Sequence, residues 1–299
     1  MVISQEFKES RESQQTREKF FSENGYLHVR SIFTPTEVDE IRTTFTQHVE
    51  NTASKPNSAG NGNGHSSSKS NSYADGLGHD DHIPPDDILA KYPRFVHPHR
   101  RPDTQPGQLA LKYMMDTRLT SIVQDVLQAG CYGAQSMFYF KPPGARGQAF
   151  HQDNMSLQAS PECCIAAWIA IDPANESNGG LRIVPGSHRQ SLICPGEADP
   201  GVSFSNNEIH LPPSLQDKIL QTNLEAGDVL FFHGALIHGS LPNRTKDRFR
   251  RALIFHYIPQ ASKEVAKFYM PLIDADGKEV VIEEAPGGGA CGEGWVEEP

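Results

Sequence analysis

The spacing of apolar residues changes once along the chain, near Gln135. Before that point apolar residues recur every three or four positions, which is typical of amphipathic helices that bury one face. This period predicts helices over 15–24, from Thr34 to about His48, and over 108–128. After Gln135, short apolar and β-branched segments alternate with turns rich in Gly, Pro and Asn, which indicates strands. The predicted strands are an early one at 26–29 and then 136–141, 163–171, 181–184, 229–232 and 251–257.

Helices at the front and many short strands behind them predict a mainly β fold. The expected architecture is a double-stranded β-helix, a cupin-like jelly roll, with the N-terminal helices packed on one sheet. We interpret residues 1–299 as a single domain, because the later core elements need the earlier helices. Residues 52–80 are dominated by Ser, Asn, Gly and Lys and are expected to be a flexible insertion or a lid. Residues 260–299 are expected to form a tail over the barrel.

The charge of the chain restricts its partners. A formal charge of -10 and a pI near 5.7 argue against nucleic acid or an anionic membrane. No apolar run is long enough to span a bilayer, and the first residues lack a secretory signal. We therefore expect a cytoplasmic protein that acts on a small molecule. The basic run 97–101 is expected to be solvated surface, and the five cysteines to be reduced thiols.

Three residues form a pattern that metal sites use. His151 and Asp153 make a His-x-Asp pair after a Pro- and Gly-rich turn, and His238 follows a buried strand. Two histidines and one carboxylate take one face of an octahedral iron(II) ion and leave the opposite face open for substrate and oxygen. Side chains two positions apart on a strand share a face, so we expect His151 and Asp153 to reach one metal while Gln152 points away.

A positive side chain follows the distal histidine. Arg250 offers a planar guanidinium that can bind a carboxylate with two hydrogen bonds. Together with the metal-site residues it points to an oxygenase that consumes 2-oxoglutarate. His233 and His256 lie on apolar strands and are expected to be buried residues with hydrogen-bond partners rather than ligands. His188 is expected to hold a turn.

Several short stretches, in a fixed order, carry a family resemblance. They are 135–143, His151-Gln152-Asp153, 168–170, 178–181, 184–188, Gly227-Asp228, His238-Gly239-Ser240 with Asn243, and 250–252. In this combination the chain resembles the phytanoyl-CoA dioxygenase family of iron(II)- and 2-oxoglutarate-dependent oxygenases over roughly residues 15–260. The resemblance implies a double-stranded β-helix and the use of Fe(II), 2-oxoglutarate and O2.

The resemblance also implies roles for individual residues. The iron ligands are expected to be His151, Asp153 and His238. Arg250 is expected to bind the distal carboxylate of 2-oxoglutarate. The pocket of this co-substrate is expected to be lined by three further residues, Ser240, Trp168 and Met137. No catalytic acid–base pair is expected beyond the metal centre, because the metal and the co-substrate carry the chemistry.

Two details of the sequence refine this expectation. The spacing from His238 to the arginine pair is about one residue longer than the family's usual pattern. Either Arg250 or Arg251 could therefore be the residue that binds 2-oxoglutarate. Arg250 is preferred, because the following strand then falls in the family's register. Asp153 stands where related halogenases carry a small residue, which favours a hydroxylase that releases succinate and CO2. The alternatives are a metal-dependent cupin-type isomerase or hydrolase and a non-catalytic binding module. The sequence specifies neither the substrate nor the oligomeric state.

Overall fold

Helices dominate the first part of the chain. The computed structural model describes residues 14–53, 78–79, 86–161, 163–287 and 291. Its α-helices are α1 (Gln14–Asn24), α2 (Pro35–Ala53), α3 (Ile88–Lys91), α4 (Gln105–Met114), α5 (Thr117–Leu127), α6 (Asn154–Leu157) and α7 (Pro213–Gln216). Its 3-10 helices are Pro98–Arg100, Glu176–Asn178, Ser187–Arg189 and Lys267–Tyr269. The helices predicted at 15–24 and from Thr34 are confirmed, and α2 continues past His48 to Ala53.

Side-chain hydrogen bonds explain where the helices begin. At α2, the backbone N–H of Thr34 donates to Glu37 Oε2 at 2.9 Å, and the N–H of Glu37 donates to Thr34 Oγ1 at 3.3 Å. This reciprocal pair is a capping box. The helical character predicted over 108–128 is confirmed, but it is divided between two helices, α4 and α5. The chain breaks between α4 and α5 because the Asp116 carboxylate accepts the N–H of Arg118 at 2.9 Å and so caps a new helix.

The rest of the chain forms mostly short strands. They are β1 (Tyr26–Val29), β2 (Gly78–His79), β3 (Arg94–Val96), β4 (Cys131–Tyr139), β5 (Gln148–His151), β6 (Ile165–Ala170), β7 (Leu181–Ile183), β8 (Gly196–Glu197), β9 (Asn207–Glu208), β10 (Leu220–Gln221), β11 (Val229–His233), β12 (His238–Ser240), β13 (Ala252–Pro259), β14 (Glu264–Val265), β15 (Leu272–Ile273), β16 (Glu279–Val280) and β17 (Glu283–Glu284). Every predicted strand is present. β1 has the predicted bounds, whereas the others have shifted ends: β4, for example, begins at Cys131 rather than Ser136.

The main strands form two antiparallel sheets. The larger sheet has nine strands, in the order β1-β11-β6-β13-β4-β15-β16, with β3 also beside β4 and β2 beside β3. The smaller sheet has four strands, in the order β10-β7-β12-β5. Between β4 and β13 the chain passes repeatedly from one sheet to the other. Strands that are neighbours within a sheet are therefore distant in the sequence.

The outer face of the larger sheet is covered by helices. Phe138, Phe231 and Phe255 of the sheet belong to one buried cluster with Ile41 of α2 and Tyr113 of α4. Burial of these large side chains provides the main hydrophobic stabilisation of the helical layer. The expectation that the N-terminal helices pack on one sheet is confirmed for the helices of this cluster.

The inner face of the larger sheet faces the smaller sheet. Trp168 lies opposite Ile254 in the strand register, and Ile254 lies opposite Met137. These three side chains share a buried cluster with Ile183 and Leu181 of the smaller sheet. The space between the two sheets therefore contains two of the residues that the sequence analysis assigned to a co-substrate pocket.

Residues after Gln260 do more than form a tail. Ile273 of β15 pairs with Gly133 of β4, so the segment extends the larger sheet, and the predicted surface tail at 260–299 is wrong for this part. Residues 288–290 and 292–299 lie outside the described residues. A disulfide joins Cys194 to Cys291, whose Cα atoms are 5.6 Å apart. The expectation of five reduced thiols is therefore wrong for this pair, which the fold brings within bonding range.

Two further segments, 52–80 and 97–101, were predicted to lie at the surface. The insertion at 52–80 lies outside the described residues except at 52–53 and 78–79. The solvated surface predicted at 97–101 is wrong for His97 and His99, which are 6% and 3% exposed. They are buried because this segment covers an edge of β4, where the His97 N–H donates to the Ser136 carbonyl at 2.8 Å. Among the described helices none combines the length and the apolar character needed to cross a bilayer.

Candidate metal centre

Three side chains converge where two strands of the smaller sheet meet. His151 ends β5, His238 begins β12, and the two residues lie directly opposite each other in the antiparallel register. Asp153 follows two residues after His151. Its Oδ1 atom lies 3.6 Å from His151 Nε2 and 3.6 Å from His238 Nε2. One ligand atom from each residue lies within 4.8 Å of the others, so a single metal ion can contact all three.

Asp153 lies beside His151 as predicted, but the prediction that strand alternation places it there is wrong. The strand ends at His151, and Asp153 has helical backbone angles, φ -60° and ψ -33°, at the N-terminus of α6. The turn from strand to helix, rather than strand alternation, brings its carboxylate beside the histidine. Gln152 points away as predicted: its amide donates to the Ala235 carbonyl at 2.8 Å and accepts the Ile193 N–H at 2.9 Å.

Backbone carbonyls fix the orientation of both imidazole rings. Nδ1 of His151 lies 2.9 Å from the Ala149 carbonyl oxygen, and Nδ1 of His238 lies 2.9 Å from the Leu236 carbonyl oxygen. Because a carbonyl can only accept, each Nδ1 carries the hydrogen and each Nε2 keeps a lone pair, which in His151 accepts from the Gln148 amide at 3.2 Å. Such outer hydrogen bonds set the tautomer in histidines that bind metals. Both lone pairs are directed to the side where Asp153 lies.

The charge states also suit a cation. Burial, assisted by the neighbouring His238, lowers the pKa of His151 to about 4. Burial alone would raise the pKa of Asp153, but His238 and His256 outweigh it and hold that pKa below its ordinary value. At neutral pH the site therefore presents a neutral His151 and a carboxylate. This is a donor set for a divalent metal of intermediate softness.

A fourth residue, which the sequence analysis did not assign to the site, contacts the carboxylate. His256 on β13 is 5% exposed, and its Nε2 lies 3.2 Å from Asp153 Oδ2. The prediction of a buried histidine with a partner is confirmed, but the partner is a metal-site residue. No local sequence signal could have identified this contact, because it depends on the packing of β13 against the start of α6. The interaction holds Asp153 so that its other oxygen faces the histidines.

The other singled-out histidines have structural contacts. His188 lies in a 3-10 helix, and its Nε2 is 3.1 Å from the Ser22 carbonyl oxygen, in agreement with a residue that holds a turn. His233 accepts the N–H of Ala235 at 3.0 Å through Nδ1. Neither histidine belongs to the metal-capable group among the described residues.

The two arginines that the sequence left as alternatives lie in different environments. Arg250 is 4% exposed, its Nε donates to the Gly179 carbonyl at 3.2 Å, and its guanidinium lies 5.4 Å from the centre of the Trp168 ring. Burial lowers its pKa to about 10. Among the described residues it forms no salt bridge. Arg251 instead binds both carboxylate oxygens of Asp172, at 2.7 and 3.0 Å.

The remaining pocket residues lie in the same interior. Ser240 is 5% exposed and is on β12, two positions after His238. Trp168 and Met137 are 3% and 9% exposed and share one cluster. Lys141, which the sequence did not single out as a site residue, is 3% exposed and donates to Ser240 Oγ at 2.7 Å. The described residues thus include a metal-capable triad and, near Ser240 of the same small sheet, a separate cationic region.

Comparisons with known proteins agree with this geometry. The family profile described as Phytanoyl-CoA dioxygenase (PhyH) matches residues 21–252, and the chain belongs to this family. The family depends on Fe(II), 2-oxoglutarate and O2.

Individual relatives define how far the similarity extends. A phytanoyl-CoA dioxygenase of Arabidopsis thaliana is 33% identical over 136 residues, which cover 44% of this chain and 46% of the relative, about half its length. A probable phytanoyl-CoA dioxygenase of Caenorhabditis elegans is 27% identical over 254 residues, covering 80% of this chain and 73% of the relative. The epimerase SnoN, solved with Fe3+, alpha ketoglutarate and nogalamycin RO, shares the fold with a TM-score of 0.59 and 16% identity, covering 93% of this chain and 96% of that chain.

Proposed function

We propose that the protein is an Fe(II)- and 2-oxoglutarate-dependent oxygenase that hydroxylates a small-molecule substrate and releases succinate and CO2. One observation carries the proposal. The same barrel holds a His-Asp-His group suited to a divalent metal and a buried arginine, Arg250, without a carboxylate partner among the described residues. A buried guanidinium in this state is costly unless an anionic ligand completes the site.

The strand order supports the finer assignment of the fold. The β4, β6, β11 and β13 strands lie in the larger sheet, whereas β5, β7, β10 and β12 lie in the smaller one. This alternation is the arrangement of a double-stranded β-helix, in which two sheets enclose one interior. We assign the chain as a single domain over 1–299, because the helices share their core with the strands.

The residues of the triad fit Fe(II). His151 and His238 would each supply Nε2, and Asp153 would supply one carboxylate oxygen. A set of two histidines and one carboxylate leaves the opposite face of an octahedral ion open. The bound metal supplies the activation of O2 that is coupled to decarboxylation of the 2-oxo acid. The protein's part is to hold the ligand atoms in place, which the carbonyls of Ala149 and Leu236 do through the histidine Nδ1 hydrogens.

The cationic region fits the distal carboxylate of 2-oxoglutarate. Arg250 is the preferred anchor, because Arg251 is already neutralised by Asp172. Ser240 would donate a hydrogen bond to the same carboxylate, and Trp168 would wall the pocket beneath the guanidinium. Met137 would close the apolar side. These residues orient the co-substrate and exclude water from it.

The carboxylate ligand favours hydroxylation over halogenation. Asp153 would supply a carboxylate ligand to the metal, where related halogenases carry a small residue that makes room for a halide. A small-molecule substrate agrees with the formal charge of -10, which disfavours polyanionic partners. The identity of that molecule depends on loops around the mouth of the barrel.

Formation of succinate tests the proposal without knowledge of the substrate. Protein reconstituted with Fe(II) under anaerobic conditions is given 2-oxoglutarate, ascorbate and O2, and succinate is quantified. We expect formation that requires Fe(II) and O2 and that Asp153→Ala abolishes. His210→Ala, a change at an exposed histidine outside the site, is the matched control and should behave as the original protein.

The same assay separates the alternatives. A protein that binds metal and an organic substrate but never consumes 2-oxoglutarate would be a cupin-type isomerase or hydrolase. A protein that binds 2-oxoglutarate or another ligand with no turnover at all would be a binding module. Either result contradicts the proposed oxygenase.

A further inference from the structure

Lys141 is a second buried cation beside Arg250. It follows β4, is 3% exposed, and forms no salt bridge among the described residues. The backbone N–H of Lys141 donates to the Arg250 carbonyl at 3.0 Å, and the N–H of Arg250 donates to the Lys141 carbonyl at 3.0 Å. Residues paired in this way across two antiparallel strands project their side chains to the same face. This explains why Lys141 and Arg250 both enter the barrel.

The hydrogen bonds of Lys141 match those of a charged ammonium group. Its Nζ donates to Ser240 Oγ at 2.7 Å, to the Leu241 carbonyl at 2.9 Å and to the Gly179 carbonyl at 3.3 Å. A protonated lysine has three N–H donors and no acceptor, so these three acceptors satisfy it completely. The position of Nζ is therefore fixed by three independent contacts.

These contacts determine the direction of the Ser240 hydroxyl. Ser240 Oγ accepts from Lys141 and also from the backbone N–H of Gln148 at 3.3 Å. Both lone pairs of the oxygen are then used, so its own hydrogen must be donated. Among the described residues no group accepts that hydrogen. The hydroxyl is thus prepared to donate to a ligand.

The local charge also favours an anion. Lys141 Nζ and Arg250 Nε both donate to the one carbonyl oxygen of Gly179, at 3.3 and 3.2 Å. Burial, followed by the positive charges of Arg250 and Arg182, lowers the pKa of Lys141 well below its ordinary value. A bound carboxylate would reduce the repulsion between Lys141 and Arg250 and would supply the counter-charge that both cations lack.

We propose that Lys141 is a positioning residue of the co-substrate site, which holds the Ser240 hydroxyl as a donor toward the distal carboxylate of 2-oxoglutarate and adds a second positive charge beside Arg250. The inference rests on the proposed function, because it assigns a role within that same site. A purely structural lysine that only ties the Leu241 and Gly179 backbones together would affect stability without acting through Ser240.

A double-mutant cycle separates these roles. The dissociation constant of 2-oxoglutarate is measured by calorimetry with Mn(II)-loaded protein, for the original chain, Lys141→Met, Ser240→Ala and the double variant. We expect Lys141→Met to raise the dissociation constant by about 10- to 100-fold, because the charge-assisted hydrogen bond that orients Ser240 and the positive charge beside Arg250 are both lost. If Lys141 acts through Ser240, adding Ser240→Ala to Lys141→Met should change it by less than about 2-fold. Unchanged affinity in Lys141→Met, or effects of the two changes that multiply, overturns the proposal.

Additional variants protect the test against misfolding. Lys141→Arg keeps the charge, but its planar guanidinium cannot reproduce the three contacts of a compact ammonium group. We therefore expect the affinity for 2-oxoglutarate to fall by about 5-fold or more, while the melting temperature stays unchanged. Original affinity in that variant contradicts the role. Arg251→Met is the control at a paired arginine and should leave 2-oxoglutarate affinity unchanged.

The same measurement distinguishes failure of the proposed function from failure of the role of Lys141 alone. If the original chain binds Mn(II) but not 2-oxoglutarate, the proposed function itself is wrong, and the role of Lys141 with it. If the original chain binds 2-oxoglutarate and Arg250→Ala weakens it while Lys141→Met does not, only the role of Lys141 is wrong.

Discussion

Arg250 and Arg251 are neighbours in the chain, yet they lie on opposite faces of the larger sheet. On the outer face, Arg251 shares Asp172 with Arg42 of α2, whose Nε lies 3.2 Å from that carboxylate. On the inner face, Arg250 and Lys141 have only uncharged partners among the described residues. These outer charges are thus paired within the protein, whereas the two inner cations have no carboxylate partner among the described residues.

From this difference we predict that Arg251 serves stability and that Arg250 and Lys141 serve ligand binding. A partly buried cation that is paired with a carboxylate holds two elements together, here a helix and the sheet. A buried cation without an anion costs stability, so its presence indicates a function. The following predictions test the distinction, beginning at the metal centre.

The largest effect is expected at the triad. His151→Ala, Asp153→Ala or His238→Ala should each reduce succinate formation by about a thousand-fold or more, because each removes a metal ligand from a set of three. The melting temperature of the metal-free protein should change by only a few degrees. Metal content measured after reconstitution should fall in parallel. Full activity in any one variant would remove that residue from the metal site.

The two arginines should give opposite results. Arg250→Ala should raise the Michaelis constant for 2-oxoglutarate by about ten- to a thousand-fold, since each decade corresponds to about 1.4 kcal/mol. Arg251→Ala should leave that constant nearly unchanged but lower the free energy of unfolding by about 1–3 kcal/mol, because it leaves Asp172 without its bidentate partner. Steady-state kinetics and denaturant unfolding on both variants check this. A reversed pattern would make Arg251 the anchor.

A smaller effect is expected at His256. His256→Phe removes the contact with Asp153 Oδ2 while keeping an aromatic ring in the interior. Metal affinity should fall by about 10-fold, the lower end of the range for outer-sphere partners of metal ligands. Titration of the apo-protein with Fe(II) or Mn(II) measures it. His233→Asn, a change at a histidine that hydrogen-bonds to the Ala235 backbone and lies outside the metal-capable group, should leave metal affinity unaltered. Equal losses in both variants would exclude a specific role for His256.

The sequence predicted which three residues form the metal-capable group better than it predicted their surroundings, for a physical reason. Few residue types bind iron, and His151, Asp153 and His238 are recognisable by type and order alone. The contacts of His256 and Lys141 arise from cross-strand packing, which local periodicity does not encode. Strand alternation requires that the side chains of Arg250 and Arg251 lie on opposite faces of the larger sheet. Only the register with β4 determines which of them points into the space between the two sheets.

Long-range pairing limited the prediction of the fold in the same way. The helix break at Asp116 is a local signal that propensity reasoning could have found, since Asp is a preferred cap residue. The addition of β15 to the larger sheet and the bond between Cys194 and Cys291 join distant segments. Such contacts are set by tertiary packing and leave no periodic trace in the sequence.

The smallest effect is expected in the paired charges of the outer face. The Arg118 guanidinium hydrogen-bonds to Glu37 and lowers the pKa of that carboxyl from 4.5 to about 2, although burial opposes the shift. Because the folded-state pKa is depressed, the stabilisation is fully present above pH 4.5 and is lost as the pH falls through about 2. Glu37→Gln should therefore lower the free energy of unfolding by about 1 kcal/mol or less at pH 7, since solvent screens a pair at the helix surface. Near pH 2, where about half of the Glu37 carboxyls in the folded protein are protonated, most of this difference should be lost. Denaturant unfolding at both pH values measures the difference, and a gap that persists at low pH would show that packing, rather than charge, sets the contribution of Glu37.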